Sequence, residues 1–215
     1  MRVCPMPVTT NKNLQDIFDA GFKARKVWVI GPGPSVADFD FSRIADTDIA
    51  IALNKAIELP HDFDLWAVID TKAIHAEWFK SGMELHADIT CFGPVMKGSG
   101  AIGKYEFEYL PQKLVPTDGA CVPYRIRSGG TVAAVGIQLA YHFDATEIVL
   151  VGVDFTGSNY DGTPRLPDRD IDDPAWARSG APRINALIRW IEAQDIDIYS
   201  VAESNLEVRV SNGIG

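Results

Sequence analysis

The sequence predicts an α/β domain: a mainly parallel sheet flanked by helices. Three observations lead there. Short apolar runs recur along the chain with helical or turn-rich segments between them, the alternation that builds parallel strands joined by crossovers. The runs are apolar at consecutive positions rather than alternate ones, so both faces of each strand are to be covered. Two glycine-rich turns, in VWVIGPGPS (27–35) and RSGGT (127–131), lie beside such elements, the second ahead of a helical pattern and the run IVLVGVDF.

The predicted strands are 27–30, 49–53, 65–69, 89–92, 148–151 and 196–201. In such sheets ligands gather at the carboxyl ends of the strands. Those ends carry Gly31, Asn54, Asp70, Gly93 and Asp154. The clearest helices are 131–142, entered through Ser128, Gly129 and Gly130, and 182–194, with Pro182 acceptable in a first turn. Residues 93–103 carry four glycines and read as a mobile loop. The segment 155–180, rich in Asp, Pro and Arg, reads as a mobile lid, because long structureless loops in compact domains serve function or are disordered.

At 215 residues, 47% hydrophobic and 23% charged, the chain suits one domain spanning 1–215 with a substantial core. Its formal net charge of -9 disfavours nucleic acid as a partner and leaves a small nucleotide as the easier anion. Cys4, Cys91 and Cys121 are widely spaced without a CxxC pair, so neither zinc nor a disulfide framework is indicated. The opening residues lack the apolar core of a signal peptide, and no run reaches membrane-spanning length; a cytoplasmic protein is expected.

Within 27–35, Gly31 and Gly33 have no Cβ and let a ligand approach the turn, Pro32 and Pro34 stiffen it, and Ser35 offers a hydroxyl and an N–H where a helix begins. Val36 stands where a dinucleotide fingerprint has its third glycine, and no Lys-Ser/Thr follows as in a P-loop. Ser128, Gly129, Gly130 and Thr131 form a second anion cradle at a helix start. Asn54 either reads a base or sugar edge or satisfies its own turn. Asp70 and Asp154 are placed to orient a ribose hydroxyl, a sugar acceptor or magnesium, and Asp70 equally to cap a helix.

Asp168, Asp170, Asp172 and Asp173 lack the glycine and terminal Glu of a calcium loop and read as solvated. Arg165, Arg169, Arg178 and Arg183 can meet phosphate if the lid closes. His61, His75, His86 and His142 show no metal spacing, and His75 reads as a surface position.

VIGPGPSVADFDFSRI, the strand ending LNKA, and RSGGTVAAVGIQLAYHFDATEIVLVGVDFTG resemble the bacterial family 42 sialyltransferases, the motility-accessory-factor proteins implicated in flagellin glycosylation, and the archaeal hydroxymethyldihydropterin pyrophosphokinases. The resemblance spans residues 27–201 and implies a Rossmann-like fold. It implies that the first glycine turn, the Asn after the second strand and the Ser-Gly turn hold a cytidine nucleotide, here at Gly31, Gly33, Pro34, Ser35, Asn54, Ser128 and Gly129. The family's catalytic His, shortly before the last helix, is replaced in register by Arg178, and its paired tyrosines are matched at most by Tyr160.

The expected function is transfer from a nucleotide-activated sugar, a CMP-sugar, to an unassigned acceptor. Asp154 is the candidate base, Arg178 a candidate catalytic residue, and Tyr160 and Asp70 candidate substrate contacts. No cofactor is firmly implied. One alternative is a pyrophosphokinase-like enzyme with magnesium on Asp70 and Asp154; another is a non-catalytic nucleotide-binding accessory protein.

Overall fold

The computed structural model describes residues 26–69, 73–86, 89–92, 126, 131–156, 158–163 and 174–210. Seven strands form one sheet: β1 (Lys26–Ile30), β2 (Ile49–Leu53), β3 (Leu65–Ala67), β4 (Thr90–Phe92), β5 (Glu147–Val151), β6 (Asp197–Ser200) and β7 (Arg209–Val210). Their order is β4-β3-β2-β1-β5-β6-β7, and each neighbouring pair is parallel. From β1 the chain works outward to β4 and then returns to the other side of β1, so strand order reverses between β1 and β5. In sheets of this kind, ligands bind outside the carboxyl ends of the strands near such a reversal.

Both faces of the sheet are covered, as the continuous apolar runs require. Val27, Val29, Ile49, Ile51, Leu53, Ile148 and Leu150 face helices α2 (Val132–His142) and α3 (Pro174–Glu192) in one core. Trp28, Ile30, Ala50, Ala52, Trp66, Val149 and Val151 belong to a second core. Helix α1 (Glu77–Leu85) contributes Phe79 to that core, and the short 3-10 turn Asn54–Glu58 contributes Ala56 and Ile57. Its two tryptophans are buried with their indole N–H groups satisfied: Trp28 Nε1 donates to Asp48 Oδ2 at 2.8 Å and Trp66 Nε1 to the Asn54 carbonyl at 2.8 Å. An unpaired indole N–H here would lose more than the bond itself contributes.

Helix α2 is buried nearly all round, which its small residues permit. A Cβ at Gly136 would lie 2.7 Å from Val29 Cγ1 and 2.9 Å from Leu53 Cδ2, so this glycine sets how closely the helix meets β1 and β2. The Thr131 hydroxyl caps the helix by accepting from Ala133 N at 3.2 Å.

Two expectations change. Helix α3 begins at Pro174, so Pro182 lies in its interior rather than its first turn, and residues 174–180, expected to belong to a lid, are helical. Pro182 has no N–H for the carbonyl of residue 178; tertiary packing outweighs that loss, since Ile184, Leu187, Ile188 and Ile191 are fully buried. Several strands are also shorter than their apolar runs: β3 ends at Ala67, while Val68 continues into the core without pairing. The glycine-rich loop 93–103 lies outside the described residues.

Gly136→Val is expected to destabilise the fold by about 1–3 kcal/mol, because the branched side chain must displace Val29 and Leu53. Urea denaturation checks it; a midpoint equal to wild type would contradict the close approach of α2.

Candidate functional site

The site begins where β1 and β5 end. Gly31 N donates to the Val151 carbonyl at 2.7 Å and Gly33 N to the Gly152 carbonyl at 2.8 Å, so the two exit turns are bonded to each other. A Cβ on Gly31 would lie 2.4 Å from the Gly152 oxygen, and one on Gly152 would lie 2.2 Å from the Gly31 oxygen. Gly152 also has φ +63, in the left-handed region that favours glycine.

The third contact is a pair of hydrogen bonds to a carboxylate. Asp154 is buried, and its carboxylate accepts from Ser35 N at 2.8 Å and from Ser35 Oγ at 2.5 Å. Pro34–Val36 forms a single 3-10 turn with Gly33 as its N-cap, and the Asp154 carboxylate occupies its open donor end. Residues 119 apart in sequence are thereby joined.

This changes the expected role of the turn. Gly33 has φ -69, a conformation open to any residue; its missing Cβ matters because that atom would lie 2.4 Å from Asp154 Oδ2 and 2.5 Å from the Gly152 oxygen. The missing Cβ of Gly33 thus makes room for the facing β5 turn. Ser35 was expected to keep its hydroxyl and N–H for an anion, but both donate to Asp154.

Asn54 follows β2 with φ 49, and the Trp66 indole holds its carbonyl. Its side-chain Oδ1 is buried and has no hydrogen-bond partner among the described residues. The reading in which Asn54 satisfies its own turn therefore lacks a bond at that oxygen.

Beyond Asp154 the chain turns back. Phe155 takes φ 55 although it is not glycine, and its buried ring lies where a Cβ on Gly180 of α3 would meet it at 2.9 Å. Asn205 Nδ2 donates to the Phe155 carbonyl at 3.4 Å. These contacts hold a conformation unfavourable for an L-residue. They bring the part of α3 that carries Arg178 to the same end of the sheet as Asp154.

The returning chain crosses the first turn, where Tyr160 N donates to the Pro32 carbonyl at 2.7 Å. It then reaches Lys55, which bonds Asp161 and lies 3.3 Å from Thr163 Oγ1 and 4.0 Å from Glu58 Oε2. Burial alone would raise the Asp161 carboxyl, but bonds from Lys55 and Thr163 outweigh it and hold it at about 2. Burial, then the negative charges of Glu58 and Asp161, push the Tyr160 hydroxyl above its ordinary value.

Thr131 stands at the start of α2, but Ser128, Gly129 and Gly130 lie outside the described residues, as do Asp70, Arg165, Arg169, Asp168, Asp170, Asp172 and Asp173. Only the backbone of Arg178 is described. Among the histidines, His75 is exposed, burial lowers His61, and burial pushes His142 down to about 4. Among the described residues no three His, Cys, Asp or Glu side chains gather as a metal site would require. Sequence reasoning missed Lys55, although it is the residue after Asn54 in LNKA; no local pattern marks a partner 106 positions away.

No protein-family model and no curated protein matches the chain. Solved structures share its fold. The MAf glycosyltransferase of Magnetospirillum magneticum AMB-1 superposes with a TM-score of 0.56 at 18% identity over 87% of this chain and 33% of that one, so the chain spans about a third of that protein. The sialyltransferase CstII of Campylobacter jejuni, in complex with cytidine-5'-monophosphate, superposes with a TM-score of 0.50 at 13% identity over 88% of this chain and 86% of that one. At these identities the likeness establishes the α/β Rossmann-like fold. Among the described residues no helix is long and apolar enough to cross a membrane.

Asp154→Ala is expected to cost about 2–3 kcal/mol, since it leaves the Ser35 donors without their charged acceptor. Gly33→Val is expected to lower stability as well, rather than only block a ligand. Chemical denaturation measures both, and wild-type stability in either would contradict the tie between the turns.

The Asp161 carboxyl provides a pH test. Its folded value is depressed, so its contribution to stability is present above the ordinary value of 3.8 and disappears as pH falls toward about 2. Carbon NMR of that carboxyl should give a midpoint near 2; a midpoint at 3.8 would mean that Lys55 does not hold it.

Proposed function

We propose that this chain is a glycosyltransferase-like protein that binds a nucleotide-activated sugar, a CMP-sugar, at the carboxyl end of the sheet, above the exits of β1, β2 and β5. The observation that carries the reading is the Oδ1 of Asn54 at the end of β2, next to β1, buried and without a partner among the described residues. A buried acceptor without a donor is costly, and a ligand hydroxyl or amino group would satisfy it. The fold shared with the MAf glycosyltransferase, and with CstII in its complex with cytidine-5'-monophosphate, supports this choice of ligand.

In this reading Gly31, Gly33, Pro34 and Ser35 form the rigid wall of the site, with Asn54 contacting base or ribose. Ser128, Gly129, Gly130 and Thr131, which precede α2 in sequence, take the phosphate, because the Ser35 donors belong to Asp154. A helix start supplies unpaired N–H groups to stabilise a departing phosphate. Arg178 supplies further positive charge, while Tyr160 and Asp70 contact the sugar or acceptor.

Asp154 is the one described residue proposed as a base, yet each of its oxygens already accepts a bond from Ser35. That engagement favours a second reading, a nucleotide-binding accessory protein that turns nothing over. Incubation with CMP-sugar and detection of released CMP separates the two.

CMP is expected to raise the melting temperature more than UMP, ADP or ATP, by an amount corresponding to about 2.7 kcal/mol at a hundredfold excess over Kd. Asn54→Ala should weaken CMP binding by about 1–3 kcal/mol, read by calorimetry. Stabilisation by ATP with magnesium alone would overturn the CMP reading in favour of pyrophosphoryl transfer.

A further inference from the structure

We propose that Lys55 is a positioning residue for ligand binding: it holds the 159–163 turn across the carboxyl ends of β1 and β2 and so fixes Tyr160 against the first glycine turn. The proposal deepens the nucleotide reading and rests on it.

The 159–163 turn is closed on itself. Asn159 N donates to the Thr163 carbonyl at 2.8 Å, Gly162 N to the Asn159 carbonyl at 3.0 Å, and Asn159 Nδ2 to Thr163 Oγ1 at 3.1 Å. Asp161 Oδ1 accepts from Thr163 N at 3.1 Å and from Thr163 Oγ1 at 2.6 Å. Gly162, at φ +77, supplies the reversal. A turn tied together this way moves as a unit.

Two polar tethers fix the unit to the rest of the protein. One is the bond from Tyr160 N to the Pro32 carbonyl at 2.7 Å. The other is Lys55, bonded to Asp161 and 3.3 Å from Thr163 Oγ1, with its ammonium 5.8 Å from the centre of the Tyr160 ring. The segment leaves β5, crosses the exit of β1 at Pro32 and ends at the exit of β2 at Lys55. It therefore spans the carboxyl ends of three adjacent strands. Asn54 immediately precedes Lys55 at the same strand exit, so the turn lies beside the amide oxygen to which the nucleotide reading assigns a ligand contact.

Lys55 suits this task better than a neutral residue. Its side chain is only 16% exposed, and Glu58 Oε2 lies 4.0 Å away on the same 3-10 turn, so its ammonium is directed by two carboxylates. Losing it would leave Asp161 and Glu58 facing each other without the cation between them. Like charges so placed repel, and the turn would lift from β2.

Four variants, Lys55→Met, Lys55→Arg, Asp161→Asn and Thr163→Val, are compared with wild type by calorimetric titration of CMP, amide hydrogen exchange and thermal melting. Lys55→Met and Asp161→Asn are expected to raise the CMP Kd about fivefold, the effect of one partly screened ion pair, and to speed exchange at Tyr160 and Gly162. Lys55→Arg should restore most of the affinity, and Thr163→Val should fall between. Faster exchange with unchanged Kd would overturn the positioning role while leaving the nucleotide reading intact. Unchanged exchange in both Lys55→Met and Asp161→Asn would overturn the tether itself. If Lys55→Met fails to fold, Asp161→Asn and Thr163→Val decide by the same two readouts. Absence of CMP binding by the wild-type chain would remove both readings, and is seen before any substitution is made.

Discussion

The candidate site depends on the bond pair between Asp154 and Ser35. It is a charge-assisted contact made out of bulk water, and it ties the exit of β5 to the exit of β1. The two turns can come close enough only because Gly31, Gly33 and Gly152 lack side chains; each added Cβ would lie within 2.5 Å of an oxygen on the facing turn. Close packing and hydrogen bonding to the carboxylate are thus one constraint. The glycines bring the turns together, and the carboxylate satisfies the donors that this approach would otherwise bury.

From that junction the rest of the candidate site is built outward. The chain leaving Asp154 bends at Phe155, whose left-handed backbone is held by α3 at Gly180 and by Asn205. The bend sends residues 158–163 back over Pro32 toward Lys55. On the other flank, the Trp66 indole holds the Asn54 carbonyl, and the Asn54 amide oxygen is buried without a partner among the described residues. In the proposed function, that oxygen is where a polar ligand would bond.

The residues that sequence singled out at the first turn are in place, but their physical roles differ from those expected. Gly33 and Ser35 were read as facing an anion from outside; they face one from inside, the carboxylate of Asp154. The physics was the same in both cases, since a donor-rich turn attracts an anion. Which anion fills it depended on a residue 119 positions away. Lys55 was invisible for the same reason: a lysine beside a strand-ending asparagine has no local signature until Asp161 is brought to it.

The sequence by itself determined the α/β class, a largely parallel sheet and the location of most strands, because consecutive apolar runs demand burial on both faces and that demand is local. It also marked the carboxyl ends carrying Gly31, Asn54 and Asp154, since strand-exit residues are read from position along the chain. Strand order, the reversal between β1 and β5, the helical start at Pro174 and the engagement of Ser35 with Asp154 were decided only in the tertiary structure. These depend on contacts between residues distant in sequence. Pro182 illustrates the difference: its local preference argues for a helix beginning there, but the buried face from Ile184 to Ile191 stabilises a longer helix that accepts the missing backbone bond.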